Sequence, residues 1–119
     1  MKEYVLLYRN GDPDWMDRGP EETGRVMAQW NEWFRKLESG GNLRNAGAAL
    51  ARGGAVLRRN GEGIATDTTL AEVKELVGGF TVIQASSLEE ATRLAQDSPF
   101  LHNNPKGDIM VQPVLEMDG

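Results

Sequence analysis

The chain has 119 residues, 39% of them hydrophobic and 26% charged, with a formal net charge of −5. That size suits a single domain spanning residues 1–119, and the absence of cysteine with a single histidine excludes disulfides, thiolate nucleophiles and zinc sites built on sulfur or on several histidines of one chain. Acidic charge gathers in residues 61–119, which carry 3 basic against 10 acidic side chains, and such a field repels phosphate backbones, so no nucleic acid is expected; no metal or cofactor is expected either.

The opening Met-Lys-Glu-Tyr is not a signal peptide, and no apolar run approaches the ~20 residues that span a bilayer; the expectation is a cytoplasmic protein without a membrane segment. Glu3 to Arg9 is a short apolar run ended by Asn10-Gly11 and reads as a first strand. It lacks strict alternation, which predicts cover on both faces. Gly11 to Gly19 is a loop carrying three aspartates and the pair Trp15-Met16, placed either to fold back on a core edge or to close over a pocket.

A long helix follows. Pro20 suits its first turn, and Glu21 and Glu22 complement the positive end of its dipole. Val26, Met27, Trp30, Trp33, Phe34 and Leu37 form one apolar stripe, and Gly40-Gly41 stops the helix. Asn45 to Leu50 reads as a short strand. Ala55 to Arg59 and Gly63 to Thr66 read as the arms of a hairpin around Asn60-Gly61, a dipeptide suited to positive φ.

Ile64 to Ala85 then organises the chain. Thr69 and Glu72 have the spacing of a capping box, Leu70, Val73, Leu76 and Val77 recur at helical spacing, and Gly78-Gly79 can end a helix. Phe80 to Ala85 is the most strand-like run. Ser87 and Glu90 form a second capping box, ahead of a short helix whose apolar face is Leu88, Ala91, Leu94 and Ala95 and which ends at Ser98-Pro99. Asn103 to Gly107 is a turn, and Ile109 to Leu115 is a last strand that Pro113 confines to an edge or a bulge.

The order strand, helix, inserted hairpin, strand, helix, strand predicts an α+β fold of ferredoxin-like type, with helices on one face of an antiparallel sheet. The other face would expose Phe80, Val82 or Ile83, so a homodimer closed through the open sheet face is the expected assembly.

Gly40-Gly-Asn-Leu43, Gly47, Leu50, Val56-Leu-Arg-Arg, Thr66 to Phe80, Glu89-Glu-Ala91, Ser98-Pro99 and Met110-Val-Gln-Pro-Val114 together resemble the YCII-related (DGPF-motif) proteins over nearly the whole chain. Ala71-Glu-Val-Lys-Glu-Leu-Val-Gly-Gly-Phe80 is the most specific portion. The resemblance implies a dimeric ferredoxin-like α+β barrel, mostly of unassigned function, with a few relatives implicated in dehydrochlorination of aromatic ring compounds and others found beside sigma factors. The signature Asp-Gly-Pro-Phe is here Asp67-Thr68-Thr69-Leu70, so its aspartate alone matches. Enzyme-like relatives pair a histidine in the first helix with an aspartate before the later proline. Trp30 and Ser98 stand in those places, and that acid/base pair is not carried over.

Asp67 is the candidate base, with turn or capping carboxylate as the structural alternative. His102 is the candidate general acid/base by its near-neutral titration, with an exposed turn residue as the alternative. Trp15, Arg9 and Lys74 are the candidate ligand contacts, and Arg58 and Arg59 candidate anion clamps that also serve as strand-edge charges. Three functions follow in order: a dimer that binds a small organic molecule; a cofactor-independent lyase or isomerase acting on a small ring compound through His102 and Asp67; and a regulatory interaction module. Convergence of His102, Asp67 and the Trp15 loop on one cavity favours the second, and an apolar cavity favours the first.

Overall fold

The computed structural model describes residues 1–12, 14–51, 53–68 and 77–117. The strands are β1 (Lys2–Arg9), β2 (Leu43–Ala49), β3 (Val56–Asn60), β4 (Gly63–Asp67), β5 (Val77–Ala85) and β6 (Asp108–Pro113). The helices are α1 (Pro20–Ser39), α2 (Leu88–Gln96) and the single-turn α3 (Pro99–Asn103), with a 3-10 turn at Trp15–Arg18. Four strands form one antiparallel sheet in the order β2-β5-β1-β6, and β3 pairs with β4 in a separate two-stranded sheet. Counting the main-sheet strands alone, this is the ferredoxin-like order with the hairpin inserted between its second and third strands.

Alternation along β1 places Tyr4, Leu6 and Tyr8 in the core, while Val5 and Leu7 stay half-buried. The expectation that both faces of this strand are covered is therefore corrected: within one chain its second face is open. Tyr4, Leu6 and Tyr8 join Ile83 and Ala85 of β5, Trp33 and Leu37 of α1, and Ala91 and Ala95 of α2 in a single core. The alanines let α2 approach the sheet closely, and Trp33 also donates its indole N–H to the Leu94 carbonyl at 3.3 Å. On the open face, register aligns Leu7 with Phe80 and Met110, and Val5 with Val82. Ile83, one candidate for that face, is instead fully buried on the helix side.

Pro20 is the first residue of α1, where its missing N–H leaves nothing unpaired. The helix ends in a Schellman arrangement: Gly41, at φ +72°, donates to the Glu38 carbonyl and Asn42 to that of Leu37. Ser87 caps α2 by accepting from the Glu90 amide at 3.1 Å. The reciprocal half of that capping box is displaced by one residue, because the Glu90 carboxylate accepts from the Ser86 amide and hydroxyl. Those bonds, the hydroxyl's foremost, hold the Glu90 carboxyl below the usual carboxylate range. Leu88, expected on the apolar face of α2, is exposed.

Two stretches depart from the sequence reading. Gly78 and Gly79 belong to β5 rather than to a helix end, and β5 starts at Val77. The capping box of Thr69 and Glu72 and the helical spacing of Leu70 to Leu76 lie outside the described residues. In the hairpin the turn shifts by one residue: Asn60 pairs with Gly63, leaving Gly61 (φ +65°) and Glu62 as the central pair. The hairpin projects, with Leu57 and Ile64 exposed on its surface, and the radius of gyration is 16.4 Å against about 13–14 Å for a compact chain of this length. β6 is an edge strand and Pro113 its last residue, where a missing ladder donor is tolerated. No described helix is long and apolar enough to cross a membrane.

Candidate functional site

A cavity of about 250 Å³ lies between α1 and the sheet. Its floor is Tyr8 of β1 with Gly79 and Thr81 of β5, and its helix side is Val26, Trp30 and Phe34. The strap 14–18 brings Trp15 and Arg18, and the segment around α3 brings Phe100, Asn103 and Asn104. Aromatic rings make most of this wall. Tyr8 and Phe100 are 5.0 Å apart between centroids, and Trp30 meets Tyr8 edge-on at 5.3 Å.

The edge wall exists because β2 bulges. Its register slips between Asn45 and Ala48, where the Asn45 carboxamide accepts from the Gly47 amide at 2.8 Å. Gly47 sits at φ +79°, and a Cβ there would lie 1.7 Å from the Phe80 carbonyl oxygen. Only glycine allows β2 to press on β5 at this point, leaving bare backbone as cavity wall.

The strap is held at both ends. Asp12 receives two bonds from the Arg18 guanidinium, at 2.6 and 3.1 Å, and its amide donates to Asn104 Oδ1 at 2.7 Å. Arg18 also lies 3.9 Å from Glu22. Arg18, the one charged side chain among the described lining residues, is thus compensated by two carboxylates. Glu22 is in turn held below the ordinary carboxylate range, first by its hydrogen bond from Arg25.

The floor is polar at one point. Tyr8 Oη and Thr81 Oγ1 are 2.6 Å apart, and Thr81 donates to the Ala46 carbonyl at 3.1 Å. Ser98, fully buried, is the phenol's other polar neighbour. Burial pushes the Tyr8 hydroxyl up to about 12, against the smaller opposing pull of Thr81 and Ser98, so the phenol is neutral at physiological pH.

Of the residues singled out in the sequence, Trp15 lines this cavity. His102 is exposed on α3, a helix where the sequence suggested a turn, and Asp67 closes the hairpin ladder opposite Val56; neither is among the lining residues. Arg9 makes a two-pronged ion pair with Asp108 at 2.9 and 3.2 Å at the end of β1, away from the lining. Arg58 and Arg59 are exposed on β3, and Lys74 lies outside the described residues. Among the described residues, no group of three or more His, Asp and Glu side chains is placed to hold a metal ion. Sequence reading missed Tyr8, Thr81, Arg18 and Asn103. Tyr8 and Thr81 look like ordinary strand residues, and their pairing across 73 positions leaves no local pattern.

Against known proteins, a family model described as the YCII-related domain matches residues 3–118. A search of curated proteins returned no match to the sequence.

Proposed function

Since this chain belongs to the YCII-related family, we propose that it binds a small, largely apolar, ring-bearing molecule between α1 and the sheet, as one subunit of a homodimer. The observation that carries this reading is the cavity itself, about 250 Å³ and walled by Tyr8, Trp15, Trp30, Phe34 and Phe100. An enclosed apolar space of about 150 Å³ holds benzene, so this one suits one or two fused rings. Stacking and edge contacts between aromatic rings contribute beyond buried area. Among the described lining residues, Tyr8 and Arg18 are the titratable ones, and neither stands ready as a base: one is a neutral phenol, the other is paired with carboxylates. That favours binding over acid/base chemistry.

The dimer follows from the open sheet face. Val5, Leu7, Val82 and Met110 form an apolar centre there, flanked by the ion pairs Arg44–Glu3 and Arg9–Asp108. An apolar centre inside a charged rim is the composition of a protein interface, and a second copy offers the same surface.

Titration of naphthalene into the protein, followed by quenching of tryptophan fluorescence, tests the site. Saturable binding that Trp15→Ala weakens about five- to tenfold is the expected result. Absence of saturable binding up to the solubility limit of naphthalene would overturn it. Sedimentation equilibrium tests the assembly, with a dimer expected and a monomer at micromolar concentration ruling it out.

A further inference from the structure

Building on that binding reading, we propose that the floor of the cavity is set to accept a hydrogen bond. The ligand it prefers is then a neutral ring compound carrying a hydroxyl or amino donor, with Tyr8 the specificity-determining residue and Thr81 its positioning partner.

Thr81 has one hydroxyl proton, and it points to the Ala46 carbonyl at 3.1 Å, an atom that can only accept. In the 2.6 Å contact between Tyr8 and Thr81 the phenol is therefore the donor. Ser98 Oγ, the other polar neighbour of the phenol, accepts from the Phe100 amide at 3.3 Å. The hydroxyl protons run one way, from Tyr8 to Thr81 to the Ala46 carbonyl. Tyr8 has no proton to give a ligand, and it keeps a lone pair to receive one.

Asn103 repeats the pattern on the neighbouring wall. Both protons of its amide are committed, to Gln29 Oε1 at 2.9 Å and to the Pro99 carbonyl at 2.8 Å. The carbonyl acceptor in the second bond also fixes which end of the carboxamide is nitrogen, so Oδ1 is the atom left over. Two acceptors, one from β1 and one from α3, thus line the same space. The side-chain donors left on the described lining include the indoles of Trp15 and Trp30 and the amide of Asn31, on the strap and the helix side, and the second amide proton of Asn104 beside α3; a hydroxyl's own oxygen can meet them. An anion gains little, because the nearest positive charge, Arg18, is already shared between Asp12 and Glu22.

Four probes of one shape test this at pH 7: naphthalene, 1-naphthol, 1-methoxynaphthalene and 1-naphthoate, titrated calorimetrically into the intact protein. The expected order places 1-naphthol about tenfold tighter than naphthalene and 1-methoxynaphthalene, with 1-naphthoate weakest. Thr81→Val releases the Tyr8 proton, so 1-methoxynaphthalene should gain and the gap to 1-naphthol should shrink about fivefold. Should Thr81→Val fail to fold, Tyr8→Phe serves instead and should bring 1-naphthol to the level of naphthalene. Equal binding of 1-naphthol and 1-methoxynaphthalene by the parent, or a gap that neither variant alters, overturns the proton account while leaving the cavity reading intact. Failure of every probe, naphthalene included, overturns both.

Discussion

Tyr8 and Thr81, 73 residues apart, share a 2.6 Å hydrogen bond on the floor of the cavity. That contact joins the two central strands of the sheet at a polar spot on the floor of an aromatic pocket, so its removal reads out in stability as well as in binding. Tyr8→Phe leaves the buried Thr81 hydroxyl without its donor and should cost about 1–2 kcal/mol in urea denaturation at pH 7. The pH dependence has a definite sign. Below pH 10 the phenol is protonated in both the folded and the unfolded chain and contributes no pH dependence. Between 10 and about 12 the unfolded phenol ionises while the buried one does not, so stability falls as pH rises through that window, by roughly 2–3 kcal/mol. Urea midpoints from pH 9 to 12 should drop more steeply for the parent than for Tyr8→Phe. Parallel curves would mean that the phenol is not buried.

Gly47 and Gly24 make a matched pair. Gly47→Ala puts a methyl group into the Phe80 carbonyl at a left-handed position, and at least about 3 kcal/mol should be lost, or β2 must detach from β5. Gly24 lies within α1 with open space around it, so Gly24→Ala should raise stability by about 0.5–1 kcal/mol. Thermal melts of both variants check the contrast. A harmless Gly47→Ala would show that the β2 bulge does not depend on glycine.

How far the sequence alone reaches can be judged from these residues. Pro20, Ser87 and Pro113 act within a few positions of themselves, so helix starts, caps and the edge strand were legible from local chemistry. Strand order and the helices' shared face were legible because alternation in β1 and β5 and the stripe on α1 each bury one side. The cavity was not. It depends on a bulge at Gly47, a strap pinned by Asp12 and Arg18, and a hydroxyl relay spanning three elements, none of which imposes a periodic pattern. Trp15 was found because an aromatic residue in a polar loop needs somewhere to go. Gly78-Gly79 misled because two glycines suit a helix end and a close strand contact equally well; in β5 a Cβ on Gly79 would lie 2.8 Å from the Ala48 carbonyl.

The Ser87 cap offers a local check on α2. Ser87→Ala removes the acceptor of the Glu90 amide and should cost about 1 kcal/mol, while Ser87→Asp should retain most of it. Because α2 packs Ala91 and Ala95 against the core, the loss should appear in the global melt rather than as local fraying. Hydrogen exchange confined to residues 87–91 would contradict that coupling.

The open face gives the last prediction. Leu7 and Val82 are half-buried at the centre of the sheet surface that faces away from both helices. A charge at either position would be buried without a partner in a sheet-to-sheet dimer, whereas in a monomer it would sit at the surface at little cost. Leu7→Lys and Val82→Asp should therefore each shift sedimentation from dimer to monomer, with far-ultraviolet circular dichroism unchanged. Mixed together, the two variants should recover part of the dimer, because a lysine on one copy can then meet an aspartate on the other. A parent dimer that persists in both single variants would place the contact elsewhere, and the projecting β3–β4 hairpin, with Leu57 and Ile64 exposed, would be the next surface to alter.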